Sequence, residues 1–514
     1  MNGAHTLIRT LLGCGVDVCF ANPGTSEMHF VAALDEVAEM RAVLGLFEGV
    51  VTGAADGYGR MAGAPAATLL HLGPGLGNGI ANLHNARRAH TPVVNIVGDH
   101  AADLLPLDPP LASDIDSLAR PVSRWVRSVA AAEAMAGDAA DAVAAACGPP
   151  GGVATLVVPA DLTWKEGGDP LSRPPRPVLR SVDDDVLAVA AEALRSEGPT
   201  AVLVGGNALR RGGLVAAGRV AGATGAKLLC ETFPARLERG AGLPPVERLG
   251  YLAEFTMAQL QGVRHLVLAD ATAPVSFFAY PGLPGSLVPD GCVVHTLAEA
   301  GDDVVGALEH LADALGAPPH PAVAEATRPD RPTGALDGAT LAAAIGALLP
   351  EDAVVSDEGN TAGIFVPGAT GGAPPHDWLC LTGGAIGQGM PVATGAALAS
   401  PGRRVLSLEA DGSAMYTMQA LWTQAREGLD VTTVVLANGS YAILELELSR
   451  VGAGAAGTRA RRMLDIGDPS LDFVALAGGM GVPASRAGTA EEFTEQLERS
   501  FATPGPALIE AALG

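Results

Sequence analysis

The feature that most constrains the fold is a pair of apolar, strand-like runs, 404–408 and 431–436, joined by a helix-like segment. The first run is followed by Asp411 and the second by Asn438 and Ser440. Two strands linked in this way lie parallel in one sheet, because the crossover helix returns the chain to the edge at which the first strand began. The three polar residues are therefore expected at the same carboxyl edge, where open α/β sheets bind their ligands.

These three residues predict a Mg²⁺ site. Asp411 offers a carboxylate oxygen, Asn438 an amide oxygen, and the turn at Ser440 a backbone carbonyl, which together with phosphate oxygens and a water complete an octahedron. The helix predicted over 413–427 would point its free N–H groups near Ser413 towards a diphosphate. Asp-Gly and Asn-Gly are each ordinary turn signals after strands, so the spacing of the pair carries the prediction.

The remainder of the 514-residue chain repeats the strand–loop–helix pattern. Stretches rich in Pro, Gly and charge at 161–180 and 316–336 read as linkers. The pattern predicts an α/β protein of three doubly wound parallel-sheet domains, at 1–160, 181–315 and 337–514.

Charge and cysteine usage narrow the class of protein. The net charge of −24 argues against nucleic acid or an anionic membrane as partner, because both require a basic surface. The six cysteines are scattered without a CxxC pair, as expected of reduced thiols. No apolar run of about 18 residues predicts a membrane span, and the first 20 residues lack a signal-peptide pattern. We therefore expect a cytoplasmic protein without a membrane or nucleic-acid partner.

Three residues of the first predicted domain are candidates for chemistry. Glu48 follows Leu46 and Phe47 at a strand-to-helix junction, where a carboxyl group could share a proton with a ligand nitrogen or simply face the helix dipole. His71 ends a strand and could transfer protons or only form a structural hydrogen bond. Thr25 could orient a substrate carboxylate or cap the following helix.

Four motifs follow one another along the chain, and their order is informative. They are Asn22-Pro-Gly-Thr, Phe47-Glu-Gly, Gly73-Pro-Gly-Leu-Gly-Asn and the late Asp411–Asn438 pair. Together they resemble, over nearly the whole chain, the thiamine diphosphate enzymes of the acetolactate synthase, benzoylformate decarboxylase and pyruvate decarboxylase group. The late family motif is GDG, 24 to 27 residues, then NN.

Here 24 residues lie between Gly412 and Ala437. Ala410 replaces the first glycine and Ala437 the first asparagine, whereas the ligating positions are kept.

The resemblance implies thiamine diphosphate and Mg²⁺ as cofactors. Glu48 matches the glutamate that contacts N1′ of the aminopyrimidine, the Gly384 carbonyl would accept from the 4′-amino group, and Ile386 would lie between the two rings. FAD is not expected and not excluded, because Gly205-Gly206 is a weak signal. The candidate residues are catalytic Glu48, His71 and Thr25; cofactor-binding Glu48, Asn360, Thr361, Gly384, Ile386, Gly412, Ser413 and Tyr441; and metal-binding Asp411, Asn438 and Ser440.

The implied substrate is a small 2-oxo acid, either decarboxylated to an aldehyde or used in carboligation. Two family proton donors are missing, because Ala279 and Leu444 stand at the positions of a catalytic histidine and glutamate; this favours carboligation. The alternatives are an acyl-CoA lyase of the same group, or a catalytically reduced cofactor-binding protein with a structural or regulatory role. Relatives join the two halves of the site across a subunit interface, which implies a homodimer at least and a homotetramer as the larger assembly.

Overall fold

The computed structural model describes residues 1–175, 177–453 and 457–513. It contains three sheets whose strands run parallel apart from one edge strand, and this confirms the predicted fold class. Arg176, which belongs to the first predicted linker, lies outside the described residues. None of the helices in the described ranges combines the length and apolar character needed to cross a bilayer.

The first sheet has the order β2-β1-β3-β4-β6-β5. Every residue of β3 and β6 is buried, as expected of strands covered on both faces by helices. Its strands are β1 (Val18–Asn22), β2 (Arg41–Leu44), β3 (Ala66–Leu70), β4 (Val93–Asp99), β5 (Trp125–Ser128) and β6 (Val153–Pro159). Its helices are α1 (Gly3–Gly13), α2 (Met28–Ala33), α3 (Glu48–Ala62), α4 (Leu72–Arg88), α5 (Ile115–Ala119), α6 (Met135–Cys147) and α7 (Ala160–Trp164), with 3₁₀ turns at Thr25–Glu27, Leu105–Leu107 and Ala132–Ala134.

The central sheet has the order β10-β8-β7-β11-β12. The strands of this segment are β7 (Thr200–Val204), β8 (Lys227–Cys230), β9 (Leu237–Arg239), β10 (Glu247–Arg248), β11 (His265–Ala269) and β12 (Val293–Ala298). Its helices are α8 (Asp184–Arg195), α9 (Arg211–Thr224), α10 (Ala253–Gln259) and α11 (Val304–Ala314), with a 3₁₀ turn at Gly206–Leu209.

The third sheet has the order β17-β18-β16-β15-β13-β14-β9. Its remaining strands are β13 (Val354–Glu358), β14 (His376–Cys380), β15 (Val405–Ala410), β16 (Val431–Ala437), β17 (Ala484–Ala487) and β18 (Ala507–Ala512). Its helices are α12 (Gly338–Leu348), α13 (Val366–Ala369), α14 (Gly389–Ala399), α15 (Asp411–Thr417), α16 (Ala420–Glu427), α17 (Ala442–Arg450), α18 (Thr458–Arg462), α19 (Phe473–Gly479) and α20 (Ala490–Ala502).

The structure corrects three details of the sequence interpretation. The single helix predicted over 413–427 is two helices, α15 and α16, and the first already begins at Asp411. The central segment contributes β9 to the third sheet, where Leu237 to Arg239 pair antiparallel with β14. The first residues of the predicted linker form α7, whose Leu162 packs into the core of the first sheet. The domain boundaries themselves stay a prediction.

Helices α3 and α14 pack against each other and join the part of the chain around the first sheet (the first unit) to the part around the third sheet (the third unit). They approach so closely that a Cβ on Gly57 would lie 2.1 Å from the Val392 carbonyl oxygen, and one on Gly395 1.8 Å from that of Ala54. Beside this contact the buried Arg60 guanidinium pairs with Asp56 and donates to the Cys380 carbonyl. The carboxyl edges of both sheets are thereby held in a fixed relation.

Candidate cofactor and catalytic site

Asp411 lies where β15 ends and α15 begins, at the carboxyl edge of the third sheet. Its residue is 3% exposed, and its carboxylate accepts hydrogen bonds from the backbone N–H groups of Gly412, Asn438 and Gly439, at 2.8, 2.9 and 2.7 Å. Burial raises the pKa of Asp411, and these three N–H groups oppose the rise. The carboxylate therefore joins the β15 and β16 loops without the help of a cationic side chain among the described residues.

The β16 loop forms a tight turn beside this carboxylate. The Asn438 amide oxygen accepts from the Ser440 N–H at 3.0 Å, which leaves one of its two lone pairs free. The ring of Tyr441 then lies against Gly412, so closely that a Cβ there would be 2.3 Å from the ring Cε1. Gly412 is consequently required by the approach of Tyr441.

The β13 loop completes this edge. The Asn360 side chain donates to the buried Ser413 hydroxyl at 3.1 Å, across the neighbouring strand ends of β13 and β15. Asn360 has a left-handed φ of 46°, which asparagine adopts more readily than most residues. Thr361 follows and is half-buried.

The Gly-rich segment 382–387 approaches the same region from β14. Gly384 has a φ of 73°, and a Cβ built on it would meet no atom within 4 Å, so its backbone faces open space. Ile386 is half-buried. Helix α4 of the first unit holds the segment, because Asn85 donates to the Ala385 carbonyl at 2.8 Å and Asn82 donates to the Gly387 carbonyl at 3.1 Å.

Two buried carboxyl groups lie beneath this segment. Glu358 accepts from the N–H groups of Gly387 and Gly389 at 2.7 and 2.5 Å. Glu409 lies opposite it on β15 and accepts from the Ser407 hydroxyl at 2.7 Å. Burial raises the pKa of Glu358 to about 7, and burial with the repulsion of Glu358 raises that of Glu409 well above its usual value. The two backbone N–H donors stabilise the ionised form of Glu358, whereas Glu409 accepts only from the Ser407 hydroxyl among the described residues.

Glu48 is the first residue of α3 and is 8% exposed. Its Oε2 accepts a hydrogen bond from the Asn78 side chain at 3.0 Å. Its Oε1 lies 3.3 Å from the position that a Cβ on Gly75 would occupy, and no described residue donates a hydrogen bond to it. One carboxylate oxygen is therefore fixed, and the other is left for a ligand.

His71 and Thr25 lie at the carboxyl ends of the neighbouring strands β3 and β1. His71 Nδ1 is 2.8 Å from Oε2 of the buried Glu27, which also accepts from the Gly24 N–H at 2.7 Å. Burial raises the pKa of Glu27, while the Gly24 N–H and His71 lower it. Thr25 begins the 3₁₀ turn and is exposed.

The structure thus assembles two groups of candidates. Asp411, Asn438, Ser440, Tyr441, Gly412, Ser413 and Asn360 share the edge of the third sheet, whereas Glu48, His71 and Thr25 share that of the first. Within the described residues, no hydrogen bond or ion pair joins a catalytic candidate directly to a metal-binding one. Helix α4 connects the groups, since Asn78 contacts Glu48 while Asn82 and Asn85 contact the Gly-rich segment.

Sequence reasoning missed several residues of this region. Glu27, Asn82 and Asn85 belong to none of the motifs, and Asn78 ends the Gly73–Asn78 motif but was not chosen as a site residue. Three asparagines at a helical spacing of three to four were a usable signal.

A second group was also missed, on α17 where it meets the central unit. The Arg450 guanidinium lies 4.7 Å from the ring centroid of Tyr280, beside exposed Ala279, and its Nε lies 3.8 Å from Glu447. The side-chain oxygens of Glu447 are buried without a hydrogen-bond partner among the described residues.

Comparison with known proteins gives matches along the whole chain. Residues 1–117 match the model of the thiamine pyrophosphate enzyme N-terminal TPP binding domain, and residues 359–511 that of the C-terminal TPP binding domain. The chain is 58% identical over 514 residues to the "Putative acetolactate synthase large subunit IlvX" of Mycobacterium tuberculosis, covering 100% of this chain and 99% of that protein. It is 29% identical over 546 residues to a benzoylformate decarboxylase of Pseudomonas aeruginosa, covering 96% of each.

Among solved structures, the thiamine diphosphate-dependent 4-hydroxybenzoylformate decarboxylase of Rhodococcus jostii RHA1 matches with a TM-score of 0.87 at 26% identity. That match covers 100% of this chain and 99% of the other.

Proposed function

The chain belongs to the thiamine pyrophosphate enzyme family, and from this premise we propose that it is a thiamine diphosphate- and Mg²⁺-dependent carboligase acting on a small 2-oxo acid. The observation that carries the proposal is the arrangement around Asp411, a buried carboxylate with only backbone donors beside an amide oxygen with a free lone pair. Hard oxygen donors of this kind suit Mg²⁺ when phosphate oxygens complete its coordination.

The residues present fit a diphosphate and a metal ion. Asp411, Asn438 and the Ser440 carbonyl would hold Mg²⁺, while Asn360, Thr361, Gly412 and Ser413 would hold the diphosphate near the start of α15. Tyr441 would keep the two loops together through its contact with Gly412. When bound, thiamine diphosphate supplies a nucleophilic carbon and an electron sink for cleavage of a carbon–carboxylate bond.

Glu48 is the proposed proton carrier for the cofactor's aminopyrimidine ring. Asn78 fixes its Oε2, so a proton held at Oε1 would face the ligand. The Gly384 carbonyl and Ile386 would orient the ring from the other side, and the clamp formed by Asn82 and Asn85 holds the segment that carries them.

Carboligation is favoured over aldehyde release because two candidate proton donors are absent. Ala279 and Leu444 have no ionisable group, so neither position could supply the proton that release of an aldehyde would require.

Decarboxylation to an aldehyde is the second candidate. It is favoured by the contact of His71 with Glu27, because Glu27 holds the imidazole at Nδ1 and no described residue hydrogen-bonds to Nε2, which could transfer a proton. Thr25 would orient the substrate carboxylate in either reaction.

We further propose a homodimer that completes the site, with a homotetramer as the larger assembly. Exposed apolar side chains near the metal loops support it: Ile364, Phe365, Met415, Tyr416 and Leu444 each expose two-fifths or more of their surface. Apolar groups clustered in this way are typical of interaction surfaces.

The deciding experiment supplies thiamine diphosphate and Mg²⁺ and measures CO₂ release from a panel of aliphatic and aromatic 2-oxo acids, with product identification. A hydroxyketone or 2-hydroxy-2-methyl-3-oxo acid product supports carboligation, and an aldehyde supports the second candidate. No release from any acid, despite bound cofactor, would refute both. Omission of Mg²⁺ should abolish the reaction, and undiminished turnover with chelator would refute the metal site.

A further inference from the structure

A basic cleft lies at the far end of helix α4 from Glu48. It is an open cleft of about 330 Å³, lined by the exposed residues Arg87, Arg88, His90 and Arg124, together with residues 150–153. No acidic side chain lines it. In a chain with 56 acidic and 32 basic residues, a cleft lined by three arginines and a histidine and by no acidic side chain is unexpected.

The cleft is built by glycines that allow close approach. A Cβ on Gly152 would lie 2.9 Å from Cδ of Arg124, and a Cβ on Gly151 2.5 Å from the His90 carbonyl oxygen. Arg124 donates through one guanidinium nitrogen to the carbonyls of Gly148 and Gly151. Its side chain is therefore held against the loop, with its other donors available.

Arg87 and Arg88 have no hydrogen-bond or ion-pair partner for their side chains among the described residues. The α4 dipole accounts for basic residues in its last turn. His90 lies two residues beyond the end of α4, at the same helix terminus. The dipole does not account for Arg124, which reaches the cleft from the segment before β5. Desolvation in the cleft, and then repulsion by Arg124, Arg88 and Arg87, lowers the pKa of His90. The positive charges thus oppose one another without a protein counter-charge in the lining.

One carboxyl group outside the lining interacts electrostatically with these arginines. Glu231 of the central unit lies near enough for Arg88 to lower its pKa, but burial and the nearby Asp270 raise that pKa to about 7. Glu231 is consequently only partly ionised near neutral pH and neutralises little of the cleft.

We propose that this cleft binds a small oxyanion-bearing metabolite, carrying a phosphate group or two carboxylates. Arginine guanidinium groups bind both kinds of group with paired, charge-assisted hydrogen bonds. The volume lies at the low end of ligand pockets, which suits a small metabolite rather than a dinucleotide. The site is separate from the proposed catalytic residues, at the opposite end of the helix that contacts Glu48 and the Gly-rich segment.

The test is calorimetric titration of the cofactor-saturated protein with inorganic phosphate and, separately, with succinate, at constant ionic strength. The variant R87A/R88A should weaken binding about tenfold or more, because it removes two charged donors that hold no protein group. The matched control is Arg499→Ala, which removes an exposed arginine from the last turn of α20. Thermal unfolding should be unchanged in both variants.

Saturable binding of either anion that is weakened in R87A/R88A and kept in the control supports the site, and the tighter anion identifies the ligand class. Absence of saturable binding into the millimolar range overturns the proposal. So does an equal loss of affinity in the Arg499 control, because that would mark a general charge effect.

Discussion

Replacing Gly412 by alanine tests whether the contact between the two loops around Asp411 controls cofactor binding. The new Cβ would lie 2.3 Å from Cε1, 2.8 Å from Cδ1 and 3.0 Å from Cζ of the Tyr441 ring. Carbon atoms in contact are about 3.5–4.0 Å apart, so the ring must move by about 1 Å or more. The Tyr441 backbone is held by the hydrogen bond that its N–H donates to the Leu464 carbonyl at 2.8 Å. The ring would therefore have to move by rotation of its side chain, since the backbone is fixed.

Overpacking of this kind costs about 1–3 kcal/mol. If binding requires the present loop geometry, thiamine diphosphate affinity in the presence of Mg²⁺ should fall about 5-fold to 150-fold in Gly412→Ala. Calorimetric titration measures this directly. The matched control is Gly478→Ala on α19, where a Cβ would meet no atom within 4 Å and the cofactor affinity should not change.

The double variant Gly412→Ala/Tyr441→Ala separates the clash from other effects. Removing the ring abolishes the steric conflict, so the loss caused by Gly412→Ala should be much smaller in the Tyr441→Ala background. Equal losses in both backgrounds, or an unchanged affinity in Gly412→Ala itself, would refute the reasoning.

Three further predictions concern other parts of the molecule. Asn85→Ala removes hydrogen bonds to both backbone groups of Ala385, each worth about 1 kcal/mol, and cofactor affinity measured by titration should fall at least about tenfold. Glu48→Gln should bind thiamine diphosphate with similar affinity yet lose about 10²-fold to 10⁴-fold of the C2–H exchange rate measured by NMR. Burial lowers the pKa of His376 from 6.5 to about 4, so the unfolded chain binds more protons between these values and stability is lost as pH falls through that window. The free energy of unfolding of the wild type, measured by denaturant titration, should therefore fall more steeply between pH 6.5 and 4 than that of His376→Gln, by on the order of 3 kcal/mol.

Each of these predictions has an outcome that contradicts it. Unaltered cofactor affinity in Asn85→Ala would show that α4 does not hold the Gly-rich segment in place. Wild-type exchange in Glu48→Gln would remove Glu48 from its proposed role. Parallel pH profiles of wild type and His376→Gln would show that another group governs acid stability.

The regular elements could largely be predicted from the sequence. Strands β8 and β11 begin and end where their apolar runs do, because buried parallel strands read as continuous hydrophobic stretches. The carboxyl-edge positions of Asp411 and Asn438 follow from the same pattern. Glu48 was found by its junction between a strand and a helix.

What the sequence did not reveal depends on contacts between distant segments. Strand β9 has three residues and too few positions for an alternating pattern, and only its pairing with β14 makes it a strand. Asn82 and Asn85 read as ordinary helix-surface residues, yet they are buried because a segment some 300 positions away covers them. The Glu358–Glu409 contact arises from strand register, which no local pattern specifies.

The crossing of β9 into the third sheet has a consequence for how such chains can be shortened or recombined. A fragment that starts after residue 316 would retain β14 but leave its outer edge bare, beside the ring of Trp378 and without the Arg239 guanidinium 5.0 Å from that ring's centroid. An uncovered edge of this kind invites pairing with other chains, so the isolated fragment should aggregate. If the central segment were exchanged between homologous genes, the incoming segment would have to supply a strand that pairs with β14. The sequences of the central segment and of the third sheet are therefore constrained to change together, although each reads as an independent domain.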